Sequence, residues 1–164
     1  MYRCDVHDIN QNYTANGVRE KMESIATQNF TDHSCLMVFI VSHGGMNDTI
    51  MGSDGSLYSL GDDIVKQCTS NPTLNGKPKI IVVQACRTNA TTATVARKSP
   101  LIDDCDVAVF KSSYHNEICD ISSDSDPRQG DTFMQTFLRL LHATNQQSII
   151  HVNTLLAGEF YERK

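Results

Sequence analysis

Two uninterrupted apolar runs constrain this chain more than any other feature: residues 36–41 read LMVFIV and residues 80–83 read IIVV, each bounded by polar or glycine- and proline-rich sequence. Runs of strand length that do not alternate with polar residues are expected where a strand is buried on both faces, as in a parallel sheet covered by helices on each side. A third run, residues 107–110 (VAVF), follows the acidic stretch DDCD at 103–106. Helical spacing lies around these runs. Thr14 can cap a helix that places Val18, Met22, Ile25 and Ala26 on one face and ends before the polar residues 29–32. Residues 59–68 form a second candidate, with Asp62 and Asp63 in the first turn, where the helix dipole favours acids. Phe133, Phe137, Leu140 and Leu141, then Ile149, Val152, Leu156 and Phe160, repeat at helical spacing in two more. Strands alternating with helices predict an α/β fold, an open and mostly parallel sheet flanked by helices on both faces. At 164 residues the chain has room for one such core.

Fourteen Lys and Arg against nineteen Asp and Glu leave a net charge of −5, so there is no basic footprint for nucleic acid. No apolar run approaches the roughly 20 residues that span a bilayer, and Met1 is followed by Tyr2, Arg3, Cys4 and Asp5 rather than by the apolar stretch of a signal peptide. The expectation is a cytoplasmic protein that contacts neither nucleic acid nor membrane. Six cysteines, at 4, 35, 68, 86, 105 and 119, are widely spread and never paired as CxxC, which favours free thiols. His33 and Cys35 head a strand pattern and lack a second ligand pair at finger spacing, so no metal and no cofactor are expected.

Residues 87–100, rich in Thr, Ala and Asn, and residues 112–129, containing SSDSD at 122–126, have no apolar period and read as loops. Both leave the carboxyl ends of strands, as does the His43, Gly44, Gly45 stretch, and in open α/β sheets ligands sit beyond those ends. His43 follows the first run and Cys86 the second, 43 positions later. On neighbouring parallel strands an imidazole and a thiol would share one edge. A thiol with an ordinary pKa near 8.5 is only a few per cent thiolate at neutral pH, and a nearby imidazole can take its proton and later protonate a leaving amine. Gly44 lets a substrate carbonyl approach the backbone, and its N–H with that of Cys86 offers an oxyanion hole.

These residues resemble the caspase family. Val41, Ser42, His43 and Gly44, with the later Gly52, Ser53, Asp54 and Gly55, look like that family's histidine segment. Residues 75–79 (NGKPK), leading through IIVV into Gln84, Ala85, Cys86 and Arg87, resemble its GKPK strand and QACRG box. The similarity runs from about residue 2 to 160 and is strongest between 33 and 87; residues 106–113 and 130–137 resemble the strand and helix of the small subunit. The resemblance implies a single caspase-like catalytic domain over 1–164, with a large-subunit-like part at 1–86, a short linker at 87–104 and a small-subunit-like part at 105–164. It implies a cysteine endopeptidase cutting after aspartate in apoptosis-type proteolysis. Cys86 would be the nucleophile, His43 the general acid and base, Gly44 and Cys86 the oxyanion donors, and Gln84, Ser112 and Ser113 substrate-binding residues. Protein substrates and a homodimer, or a heterodimer with a caspase paralogue, follow as partners.

The sequence also departs from the family. Thr88 stands where the box ends in glycine. Of the two arginines with which the family holds the substrate aspartate, one belongs to a loop expected before this chain begins. The other belongs to a Ser-Trp-Arg triplet expected between 113 and 130, where only Arg128 occurs and aligns from neither end. A guanidinium fork matches a carboxylate bidentately, so the substitution bears on specificity. The family's first strand and helix and its last strand are likewise expected outside residues 1–164, leaving an incomplete sheet. Residues 87–102 contain no Asp or Glu, which predicts an unprocessed single chain with Arg97 and Lys98 as its points for a trypsin-like protease. These departures support an alternative function, a catalytically impaired decoy or regulator that binds an active caspase.

Overall fold

A computed structural model of the chain describes residues 6, 9–87, 106–112, 132–143 and 149–161. Five strands form one sheet: β1 (Leu36–Gly44), β2 (Thr49–Met51), β3 (Leu57–Ser59), β4 (Lys79–Arg87) and β5 (Val107–Lys111), in the order β3-β2-β1-β4-β5. The three apolar runs of the sequence are β1, β4 and β5. They are parallel, β1 pairing with β4 from Leu36 opposite Lys79 to Gly44 opposite Arg87, and β4 with β5 from Lys79 opposite Val107 to Val83 opposite Lys111. The short strands β2 and β3 form an antiparallel extension, which pairs with β1 at Gly44 opposite Ile50 and whose Met51 carbonyl accepts from the Ser42 hydroxyl.

Helix α1 (Ala15–Thr27) begins where sequence places it, with the Thr14 side chain accepting from the Gly17 N–H. The 59–68 segment departs from a single α-helix: Leu60–Val65 winds as a π-helix, capped by Ser59 accepting from the Asp62 N–H, and runs into α2 (Lys66–Ser70). Ala15 and Met22 of α1 and Ile64, Val65 and Cys68 of the second segment bury one face of the sheet against Ile81 and Val83, with Val38, Ile40 and Ala85 packed at its margin. Each fully buried aliphatic side chain there contributes roughly 1.5–3 kcal/mol. Helices α3 (Thr132–Ala143) and α4 (Ile149–Tyr161) belong to a second compact unit, where Phe137 and Val152 are fully buried.

The expectation that β1 is buried on both faces is corrected. Phe39 and Val41 are 43% and 68% exposed, whereas Ile80, Ile81, Val82, Val83 and Gln84 of β4 are all buried. Strand β4 has a long neighbour on each side; β1 has one on a single side and the three-residue β2 on the other. Val38 and Ile40, which alternate with Phe39 and Val41 on the same strand, pack on the core, so the exposure belongs to one face of β1; an apolar run reports that residues suit a covered pleat, not which face is covered.

Two polar devices hold α1 in place. At its C-terminal end the buried Asn71 amide donates to the carbonyls of Ile25 and Gln28, satisfying acceptors the helix leaves open. At its start the β2–β3 connection docks against the helix: the Ser53 N–H donates to the Tyr13 carbonyl, and the Asp54 carboxylate accepts from the Ala15 N–H. That last bond holds the Asp54 carboxyl below its ordinary pKa. Gly55 turns the chain at φ +76°, a conformation open to glycine. Gly52 is needed for a different reason, because a Cβ there would lie 2.4 Å from the Ala15 nitrogen and 2.9 Å from the Thr14 carbonyl carbon, backbone atoms with no side-chain freedom to move aside. Gly52→Ala is expected to destabilise the fold by roughly 2–3 kcal/mol, at the upper end of overpacking, read as a lowered urea midpoint; an unchanged midpoint contradicts this docking.

Candidate active site

The carboxyl ends of β1 and β4 bring His43 and Cys86 into direct register. Neighbouring strands lie about 4.8 Å apart, so the two backbone positions are adjacent although far apart in sequence. The His43 side chain is exposed at the end of the strand. Register pairs Val41 with Gln84, which is 5% exposed. Beyond β5, the Ser112 N–H donates to the Val83 carbonyl at 3.0 Å and holds that tip to β4, while its buried hydroxyl oxygen has no hydrogen-bond partner in the structure. Ser113 lies outside the described residues.

Gly44 is buried, and a Cβ there would lie 3.2 Å from the Ala85 carbonyl oxygen and 3.3 Å from the Ala85 Cβ, so the close approach of β4 also favours glycine at this position. Its backbone position is thereby pressed against β4, next to Cys86.

Just past Gly44 the chain reverses through a two-residue turn. Asn47 and Asp48 both have positive φ, 55° and 58°, as a type I′ hairpin turn requires. The turn is closed by the Gly45 N–H on the Thr49 carbonyl at 2.8 Å and the Thr49 N–H on the Met46 carbonyl at 3.2 Å. From it, Asp48 reaches the Lys111 ammonium at the tip of β5, 2.9 Å away. Gly44, Ala85, Lys111 and Ser112 line a small cavity beneath this ion pair. Sequence reasoning passed over Asp48 and Lys111. The signal available was the Asn-Asp pair following a strand, a turn cue; the long-range partner at the end of another strand has no local signature.

The predicted linker from 88, the acidic 122–126 stretch, Arg97, Lys98 and Arg128 lie outside the described residues. Among the described residues no cluster of three His, Cys, Asp or Glu could hold a metal, and no helix is long and apolar enough to cross a membrane.

The family model for the caspase domain matches residues 2–163. The chain belongs to the caspase family. It is 43% identical over 68 residues to caspase drICE of Drosophila melanogaster, covering 40% of this chain and 19% of that protein. With mouse (Mus musculus) caspase-8 it is 34% identical over 76 residues, 45% of this chain and 15% of the relative. The fold is similar to that of caspase-1 from Spodoptera frugiperda, at TM-score 0.69 and 21% identity, over 88% of this chain and 57% of that one. A pro-sf-caspase-1 structure matches at TM-score 0.62 and 19% identity, over 88% and 58%. The chain thus spans under a fifth of these curated caspases and a little over half of the solved ones.

Two other thiols of this caspase domain are set apart by burial. Cys68 is fully buried and burial pushes its pKa up to about 11, whereas Cys35 is half-buried. The thiolate is the reactive form, so native protein treated with iodoacetamide at pH 8 is expected to alkylate Cys35 at least about ten-fold faster than Cys68, as mass spectrometry of the peptides would show. Equal rates would contradict the closed packing around Cys68.

Proposed function

We propose that this caspase-family chain is a cysteine endopeptidase whose nucleophile is Cys86 and whose general acid and base is His43. The observation that carries the reading is the register of β1 with β4, which sets residues 43 and 86 side by side at the carboxyl edge of the sheet. In the reaction the imidazole takes the thiol proton and the sulfur adds to the scissile carbonyl. The amine leaves as the C–N bond breaks, taking the proton from the imidazolium. Water, deprotonated by the same imidazole, then cleaves the thioester and restores the thiol. The backbone N–H groups of Gly44 and Cys86 act as oxyanion donors, and each such donor typically lowers the barrier by about 3 kcal/mol. Gln84, Ser112 and Ser113 bind substrate, with aspartate before the cut, in apoptosis-type proteolysis in the cytoplasm. The partners are protein substrates and a second caspase chain, as homodimer or heterodimer.

A second reading, a decoy that binds an active caspase, is favoured by one observation: Lys111, the cation lining the cavity at the strand tips, is already neutralised by Asp48. A substrate carboxylate would have to displace that partner.

Turnover of aspartyl peptide substrates by the purified chain separates the two. The peptidase reading expects cleavage that falls at least about a thousand-fold in both Cys86→Ala and His43→Ala. Absent or Cys86-independent cleavage, together with altered rates of a caspase added to the mixture, would instead support the decoy.

A further inference from the structure

We infer that Asp48 and Lys111 are a positioning pair, an ion pair laid across the sheet that fixes the turn immediately following His43 and Gly44. The inference rests on the proposed peptidase role for its catalytic consequence and on geometry alone for the clamp itself.

The turn at 46–49 needs such a device. Its central residues, Asn47 and Asp48, are both in the left-handed region, which side-chain-bearing residues occupy at a cost. Anchors nearer at hand include the Gly45 and Thr49 N–H bonds within the turn, the Thr49 hydroxyl on the Met46 carbonyl, and the Leu60 N–H on the Asp48 carbonyl. These tie the turn to the hairpin, whose strand β1 pairs with β4, and to the π-helical segment. The Asp48 to Lys111 contact extends the turn's anchorage to β5. Strand β4 lies between β1 and β5, so the pair spans about two strand spacings, close to 10 Å.

The far end of the bridge is itself fixed. Lys111 is in register with Val83, and the next residue, Ser112, donates its N–H to the Val83 carbonyl, so the ammonium is presented from a tip bonded to β4. Both side chains are about two-thirds buried, at 31% and 28% exposure, which limits screening by solvent. Gly44 and Ala85 line the cavity under the bridge, and a side chain at position 44 would crowd Ala85. The pair therefore links the tip of His43 and Gly44 to that of Lys111 and Ser112, across the β4 tip of Ala85 and Cys86 that lies between them. A peptidase needs its oxyanion donors held within a few tenths of an ångström, and a loosened turn next to Gly44 lowers turnover more than substrate binding.

The test combines amide hydrogen exchange with kinetics on the full chain. In Lys111→Met, exchange of the 45–51 segment is expected to accelerate at least about five-fold while residues 36–41 keep their protection. Lys111→Arg and the reciprocal pair Asp48→Lys with Lys111→Asp are expected to restore it. With aspartyl peptides, Lys111→Met is expected to lower kcat about ten-fold with KM within two-fold, again rescued by Lys111→Arg. Unchanged exchange at 45–51 in Lys111→Met overturns the clamp, and so does a loss of protection spread evenly over 36–41 and 45–51, which marks general destabilisation. Accelerated exchange with unchanged kcat overturns the positioning role. Wild-type protein without turnover removes the peptidase reading and the catalytic role with it, while the exchange arm still decides the clamp.

Discussion

The nine-residue parallel pairing of β1 with β4 is the interaction on which the rest of the structure depends. It buries Ile81 and Val83 against α1 on one face, sets Gly44 against Ala85, and ends with His43 opposite Cys86. Because side chains alternate along a strand, a shift of one residue in β1 would take Val38 and Ile40 off the core and turn Phe39 and Val41 onto it. Core packing at positions 38, 40, 81 and 83 therefore holds the same register that brings 43 and 86 together. Stability and the candidate chemistry share one determinant.

A second consequence concerns glycine and charge at the strand tips. Gly44 is favoured by the close approach of two strands, and Gly52 is required by the docking of a turn on the start of α1. Packing alone thus bears on both positions, so glycines around a candidate site need not mark contact with substrate. The charged groups at the tips behave similarly. Asp48 and Lys111 neutralise one another across the sheet, and Asp54 bonds the first N–H of α1, so each of the three is engaged within the fold.

Much of this was legible in the sequence. The apolar runs gave β1, β4 and β5 their places, Thr14 announced the start of α1, and the box around Cys86 with the upstream histidine gave the family. What escaped has physical causes. Strands β2 and β3 are three residues each, too short for periodicity to register. The exposure of Phe39 and Val41 depends on which face of β1 is covered, which an uninterrupted apolar run does not encode. The ion pair from Asp48 to Lys111 joins positions 63 apart, and no local pattern predicts such a contact. The packing demand on Gly44 has no signature of its own, because close strand approach and substrate approach favour the same residue.

The adjacency of positions 43 and 86 can be measured without reference to activity. Strand neighbours about 4.8 Å apart fall within the Cα separation a disulfide spans, roughly 4.4–6.8 Å. Mild oxidation of His43→Cys protein should give an intramolecular link between positions 43 and 86, found by mass spectrometry of the digested chain and absent from wild type. A link from position 43 to Cys35 or Cys68 instead, with position 86 left free, would contradict the register on which the account stands.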